Sequence, residues 1–185
     1  VSGLGAWYDA NDSSTITKTA ADLVTTWADK KGSADLVQGT SEAPLWVSAD
    51  QNGKDIINFA SSKDMDTASL SAIAQPQTWY WALTPPASSG TTRRPFLSGS
   101  QQCFTSGVAN KWGLYAGEEP TFTENIGTSF QIWRIVFNGT SSYWYVNGVV
   151  KMDGVDAGTD SAGSLNVAGA FNNFANNKVG EILRY

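Results

Sequence analysis

Apolar and polar positions alternate along this chain with a period of two, in short runs separated by turn residues. The clearest run is Phe130 to Phe137, rich in aromatic and β-branched residues. It is followed by Asn138-Gly139, Tyr143–Val146, Asn147-Gly148 and Val149-Val150. Asn-Gly suits tight hairpin turns because both central residues take positive φ. The stretch therefore predicts a three-strand antiparallel meander. Either a two- or a four-residue first turn at Asn138 pairs odd with even positions, which places Trp133, Ile135, Phe137, Trp144 and Val146 on one apolar face, the expected core. The opposite face carries Ile132, Arg134, Val136, Tyr143 and Tyr145, continued by Val150 and Met152. A freely solvated sheet face is more polar than this. It is expected to be covered, or to take a ligand around Arg134 and Tyr145.

The same pattern recurs along the chain. Leu4–Tyr8 reads as a strand, and Asp9 to Ser14 as Asx-type turns. Ala20–Trp27 reads as a strand or irregular turn rather than a helix, and Pro44–Val47 as extended. Asn52-Gly53 marks a hairpin before Asp55–Phe59. Ser61–Ser71 is polar and reads as a loop. Thr78–Leu83 is a strongly apolar strand, stopped by Pro85-Pro86 because proline cannot continue a central ladder. Ala87–Arg94 reads as a loop. Phe96–Ser98, Gln102–Thr105 and Lys111–Ala116 read as short strands, with Thr121–Glu124 a further pairing segment. Asp153–Ser164 is a loop, and Ser164–Ala168 and Val179–Tyr185 are the last strands. Many short strands and no convincing helix predict an all-β, two-sheet antiparallel jelly-roll sandwich.

Composition narrows the function classes. At 185 residues the chain is expected to be one domain, residues 1–185, burying roughly 70% of its unfolded surface. A net charge of −5 argues against nucleic acid, which needs a basic footprint, and against anionic lipid. No apolar run approaches the ~20 residues of a membrane span. VSGLGAWYDA has no signal-peptide pattern, and the strand-like ends lead to the expectation of a piece cut from a longer protein. Cys103 is the single cysteine, so no internal disulfide forms. Histidine is missing altogether, which removes the commonest general base. Eight tryptophans accompany abundant Gly, Ser, Thr and Asn, a composition typical of carbohydrate-binding sandwiches, with aromatic core packing as the competing reading.

The order of motifs resembles the concanavalin A-like lectin/glucanase superfamily, in its laminin-G-like branch of bacterial surface and phage structural proteins. The residues carrying the resemblance are AWYDANDSSTIT, Val24 to Lys30, Pro44, Asn52-Gly53, Ile57-Asn58-Phe59, Trp133 to Thr140, Tyr145 to Gly148, Asp156-Ala157-Gly158 and Gly180 to Tyr185. The resemblance implies that the first and last strands lie together in one sheet. It also implies a calcium ion at a loop rim. The fold hosts lectins, glycosidases, lyases and adhesion modules, so function has to come from the site.

Sugar rings stack their C–H faces on aromatic side chains and pair their hydroxyls with planar polar groups. The candidates are Trp112 and Tyr115 on one short strand, Trp79 and Trp81 on one face of another, Arg93 and Arg94 beside them, and Arg134 with Tyr145 on the meander. Trp7, Trp27 and Trp133 are assigned to the core. Asp9, Asn11 and Asp12 are the calcium candidates, with Asp153, Asp156 and Asp160 as the alternative set, and turn capping is the preferred reading of these acids. The E-x-D-x-x-E strand of jelly-roll glucanases is missing. Asp64-Met65-Asp66 pairs two carboxylates at i and i+2, but with no third partner and in a polar loop. Asn138-Gly139-Thr140 matches a glycosylation acceptor and is read as turn chemistry. These readings lead to the expectation of a non-catalytic, lectin-like glycan-binding domain, extracellular or on a virion surface. The alternatives are a structural module binding protein, as a homo-oligomer or within a larger assembly, and a jelly-roll glycoside hydrolase or polysaccharide lyase.

Overall fold

The computed structural model describes residues 3–32, 34–60, 62–67, 70–87, 92–105, 111–122, 126–169 and 175–185. In chain order the strands are β1 (Ala6–Asp9), β2 (Ile16–Lys18), β3 (Val24–Trp27), β4 (Leu36–Val37), β5 (Leu45–Gln51), β6 (Lys54–Phe59), β7 (Met65–Thr67), β8 (Gln77–Thr84) and β9 (Arg93–Ser98). They continue as β10 (Gln101–Thr105), β11 (Trp112–Tyr115), β12 (Thr121–Phe122), β13 (Gln131–Phe137), β14 (Ser142–Val146), β15 (Val149–Val155), β16 (Leu165–Val167) and β17 (Asn177–Arg184). The pairings named below are antiparallel, and they build two sheets that form the expected jelly-roll sandwich. Sheet A runs β15-β14-β13-β8-β17-β6-β5, with β1 also on β17, and sheet B runs β12-β11-β10-β9-β16-β7-β4-β3-β2.

β17 organises sheet A. One edge pairs with β8 along nearly its whole length. The other edge is divided, Asn177–Val179 pairing with β6 and Glu181–Arg184 with β1. The first and last strands are therefore neighbours, as the resemblance implied.

The space between the sheets is filled with indole. Trp27, Trp79, Trp81, Trp112, Trp133 and Trp144 are fully buried. Trp112, Trp133 and Trp144 meet edge to face, with centroids 4.8 to 5.7 Å apart, an arrangement favoured by the ring quadrupoles. The meander supplies its core face as expected, with Trp133, Ile135, Phe137, Trp144 and Val146 all buried.

Four expectations change. Met152 lies in the core at 3% exposure, because the β14–β15 register shifts and brings it opposite Trp144 while Val150 stays opposite Tyr145. Trp7 is not core. It sits on the outer face of sheet A, donating its indole N–H to Glu181 at 2.9 Å beneath the Lys30 ammonium. Asn138-Gly139 opens the four-residue turn of the two expected lengths, not the tight two-residue one. Asn138 has φ −152° and leads into a short 3-10 turn, Gly139–Ser141, whereas Asn147-Gly148 and Asn52-Gly53 have positive φ at both positions, as their type demands. Finally, Ser61–Ser71 is not all loop, because it contains β7.

Candidate functional site

The tryptophans proposed as sugar platforms face inward. Trp79, Trp81 and Trp112 are 0 to 1% exposed and offer no ring face to a ligand. Trp112 and Tyr115 are three apart on one strand, so the pleat sends them to opposite sides. Tyr115 points outward.

Tyr115 heads a row across the outer face of sheet B. It lies opposite Gln102, Gln102 opposite Leu97, Leu97 opposite Asn166, and Asn166 opposite Asp66. Strand neighbours are about 4.8 Å apart, so the row from Tyr115 to Asp66 is roughly 19 Å long. At its Tyr115 end lies a depression of about 390 Å³, lined by Arg94, Leu97, Gly99, Ser100, Gln102 and Tyr115. Arg94 donates its Nε–H to the Gln102 side-chain oxygen at 2.6 Å. Partial burial draws the Arg94 guanidinium below its usual pKa, and Glu119 opposes that shift. Arg93 stands at the start of β9, where the Thr105 hydroxyl accepts its backbone N–H at 2.8 Å.

At the other end of the row is a carboxylate pair. Met65 and Thr67 are buried and Asp66 is exposed, so the alternation along β7 turns Asp66 outward. Asp64, two residues earlier, follows it. The Asn166 amide nitrogen donates to Asp66 Oδ1 at 2.5 Å and lies 3.4 Å from Asp64 Oδ2. The Asn166 carbonyl accepts the Gly169 N–H at 2.9 Å, which fixes which end of the amide faces the acids. Gln38 donates to the other Asp64 oxygen. A side chain on Gly169 would overlap the Asp64 carboxyl, so only glycine fits there. Burial pushes the Asp66 carboxyl above its ordinary value, the Asn166 bond opposes this, and the Asp64 charge adds to it. Asp64 and Asp66 are bridged by Asn166, about a hundred residues away in sequence. The sequence signal was the D-M-D-T alternation, which resembles a strand more than a loop.

Arg134 and Tyr145 lie elsewhere, on the outer face of sheet A, with the guanidinium carbon 3.9 Å from the ring centroid. The calcium candidates lie at a third place. Lys30 pairs with Asp9 at 3.2 Å and Asp12 at 2.7 Å. Asp9 also accepts the Asn11 N–H, and Asp12 accepts the Ser14 N–H and hydroxyl. The positive charge these two acids share is an ammonium, and a calcium ion would have to displace it. Among the described residues no cluster of three or more His, Cys, Asp or Glu has metal-binding geometry. No described helix is long and apolar enough to cross a membrane.

No family model matches the chain, and no curated protein matches it in sequence. Solved structures do share its fold. A Trypanosoma rangeli sialidase in complex with sialic acid superposes with a TM-score of 0.67 at 10% identity, covering 100% of this chain and 31% of that one. The same sialidase with 2,3-difluorosialic acid as a covalent intermediate gives 0.62 at 10% identity, over 100% and 31%. A glycosidic hydrolase gives 0.53 at 10% identity over 100% of this chain and 96% of that one. The chain thus spans about a third of the length of the sialidases it matches. The expectation of a non-enzyme, drawn from the missing histidine and glucanase strand, is corrected by these neighbours. The fold they share with this chain is the two-sheet jelly-roll sandwich, and the proteins that carry it include a sialidase and a glycosidic hydrolase.

Proposed function

We propose that this protein cleaves a glycan chain laid along the outer face of sheet B, with the Asp64–Asp66 pair as its catalytic centre. The observation that carries the reading is the single Asn166 nitrogen shared by both carboxyls, on an open face, with Asp66 held toward its protonated form. The raised Asp66 carboxyl suits the acid role, which leaves Asp64 the nucleophile's. Sharing one nitrogen keeps the two carboxyls close, and closely spaced carboxyls are what a retaining glycosidase uses. Asp66 gives its proton to the leaving glycosidic oxygen while the Asp64 carboxylate bonds to the anomeric carbon. Asp66, now ionised, then takes a proton from the water that breaks the glycosyl ester. Arg94, Gln102 and Tyr115 bind sugar units farther along the row. The glycan-processing enzymes that share the fold support this reading.

The motif order supports a place in the laminin-G-like branch, as a single domain of an extracellular or virion-surface protein, where polysaccharide is met. The test is release of reducing ends from a panel of neutral and acidic polysaccharides. Asp66→Asn and Asp64→Asn should each abolish it while leaving the thermal transition intact. No release from any substrate, or full activity in Asp64→Asn, overturns the proposal.

A further inference from the structure

The other sheet carries a face that cleavage does not use. Register places Tyr145 opposite Arg134, Arg134 opposite Tyr80, and Tyr80 opposite Leu183. The guanidinium is thus laid across the middle of a tyrosine-rich surface, stacked on Tyr145. Tyr145 in turn stacks with Tyr143, centroids 6.3 Å apart, and Tyr80 meets Tyr185 edge-on at 5.9 Å. Two depressions lie side by side and share Tyr80 as a wall. One, of about 300 Å³, is lined by Tyr80, Ile132, Arg134, Tyr145 and Gly148. The other, of about 310 Å³, is lined by Thr78, Tyr80, Leu183 and Tyr185. Ile132 is 58% exposed and Val150 45%, so this face is open among the described residues.

Arg134 itself is unmatched. Among the described residues no carboxylate pairs with Arg134, and its Nε makes no hydrogen bond. In a chain of net charge −5, a guanidinium held flat on a phenol ring and left without a counter-ion is placed for an anion from outside. Guanidinium N–H groups match a carboxylate geometrically. An arginine flanked by tyrosines is unlike the basic stripe that nucleic acid requires. Phenol rings offer an apolar face for sugar C–H groups together with a hydroxyl for sugar hydroxyls.

We infer that the outer face of sheet A is a binding site for a carboxylate-bearing oligosaccharide. The acidic sugar seats its carboxylate on Arg134 between Tyr80 and Tyr145, and the adjoining sugar lies against Tyr80 and Tyr185. The site is on the opposite sheet from the Asp64–Asp66 pair and holds whether or not cleavage occurs there.

The test is calorimetry on the intact chain with tri-galacturonate, its methyl ester, sialyllactose and lactose. The expected result is binding of at least one acidic probe and loss of about tenfold or more in affinity for its uncharged counterpart. Arg134→Gln should weaken the acidic probe by a similar factor, and Tyr145→Ala should weaken both members of the pair. Thermal melts of each variant confirm folding, and Arg134→Lys, which keeps the charge without the planar fork, should fall between parent and Arg134→Gln. Failure of both acidic probes to bind, equal affinity for charged and uncharged members, or full affinity in folded Arg134→Gln overturns the inference.

Discussion

Asn166 on β16 donates its amide nitrogen to Asp66 on the neighbouring strand β7 at 2.5 Å. That bond opposes the upward shift that burial gives Asp66. Replacing Asn166 with Ala should therefore raise the Asp66 pKa further, read by carboxyl-carbon NMR titration. If cleavage occurs at this pair, the acidic limb of its pH profile should change as well, because the loss of Asn166 also frees Asp64.

The same group makes a signed prediction for stability. Asp66 titrates higher folded than unfolded, so its protonated form favours the folded state. That contribution is full below the unfolded carboxyl range and is lost as pH rises through the folded value. Asp66→Asn, which stays neutral, should be at least as stable as the parent near neutral pH. Its advantage should vanish on acidification in denaturant melts.

Asp12 has the opposite sign. The Lys30 hydrogen bond, then Ser14, lowers its carboxyl to about 2. Its contribution to stability is present above the ordinary carboxyl range and is lost as pH falls toward about 2. Lys30→Met should return Asp12 toward the ordinary range by NMR and flatten that part of the acid limb. With Lys30 in place, EDTA should leave the melting temperature unchanged.

The alternation of the meander was legible because period two is enforced by the pleat, and Trp133, Trp144 and their neighbours landed where it put them. Met152 was not, since a register shift reverses the faces beyond it without a marked residue. Half of the candidate site was legible. Tyr115 and Arg94 do line one depression, but the tryptophans chosen with them are core, because a large ring fills the space between two sheets as well as it stacks on a sugar. The partnership of Asp64 and Asp66 with Asn166 depends on β7 lying beside β16, which no local pattern encodes.

The Asn-Gly turns separate by backbone conformation. Asn147 sits at φ +51° and its side-chain oxygen accepts the Ile132 N–H at 2.8 Å. Asn147→Ala should lose about 1–2 kcal/mol from the strained conformation and the lost bond. Asn138 has φ −152° and makes no side-chain capping bond, so Asn138→Ala should lose much less. Chemical denaturation of the two variants side by side measures the difference.

Cys103 is fully buried, and burial drives its thiol well above its ordinary value. It should resist alkylation by iodoacetamide in the native protein and react fully once the chain is unfolded, giving a simple readout of folding for each variant above.

The division of β17 between β8, β6 and β1 bears on how the protein is made. The strand with the most neighbours in sheet A follows all of them in the chain, so β8, β6 and β1 each wait, one hydrogen-bonding edge unfilled, until β17 has been made. Closure of that sheet thus waits on β17, and a chain that stops short of it leaves β8, β6 and β1 all without their common neighbour.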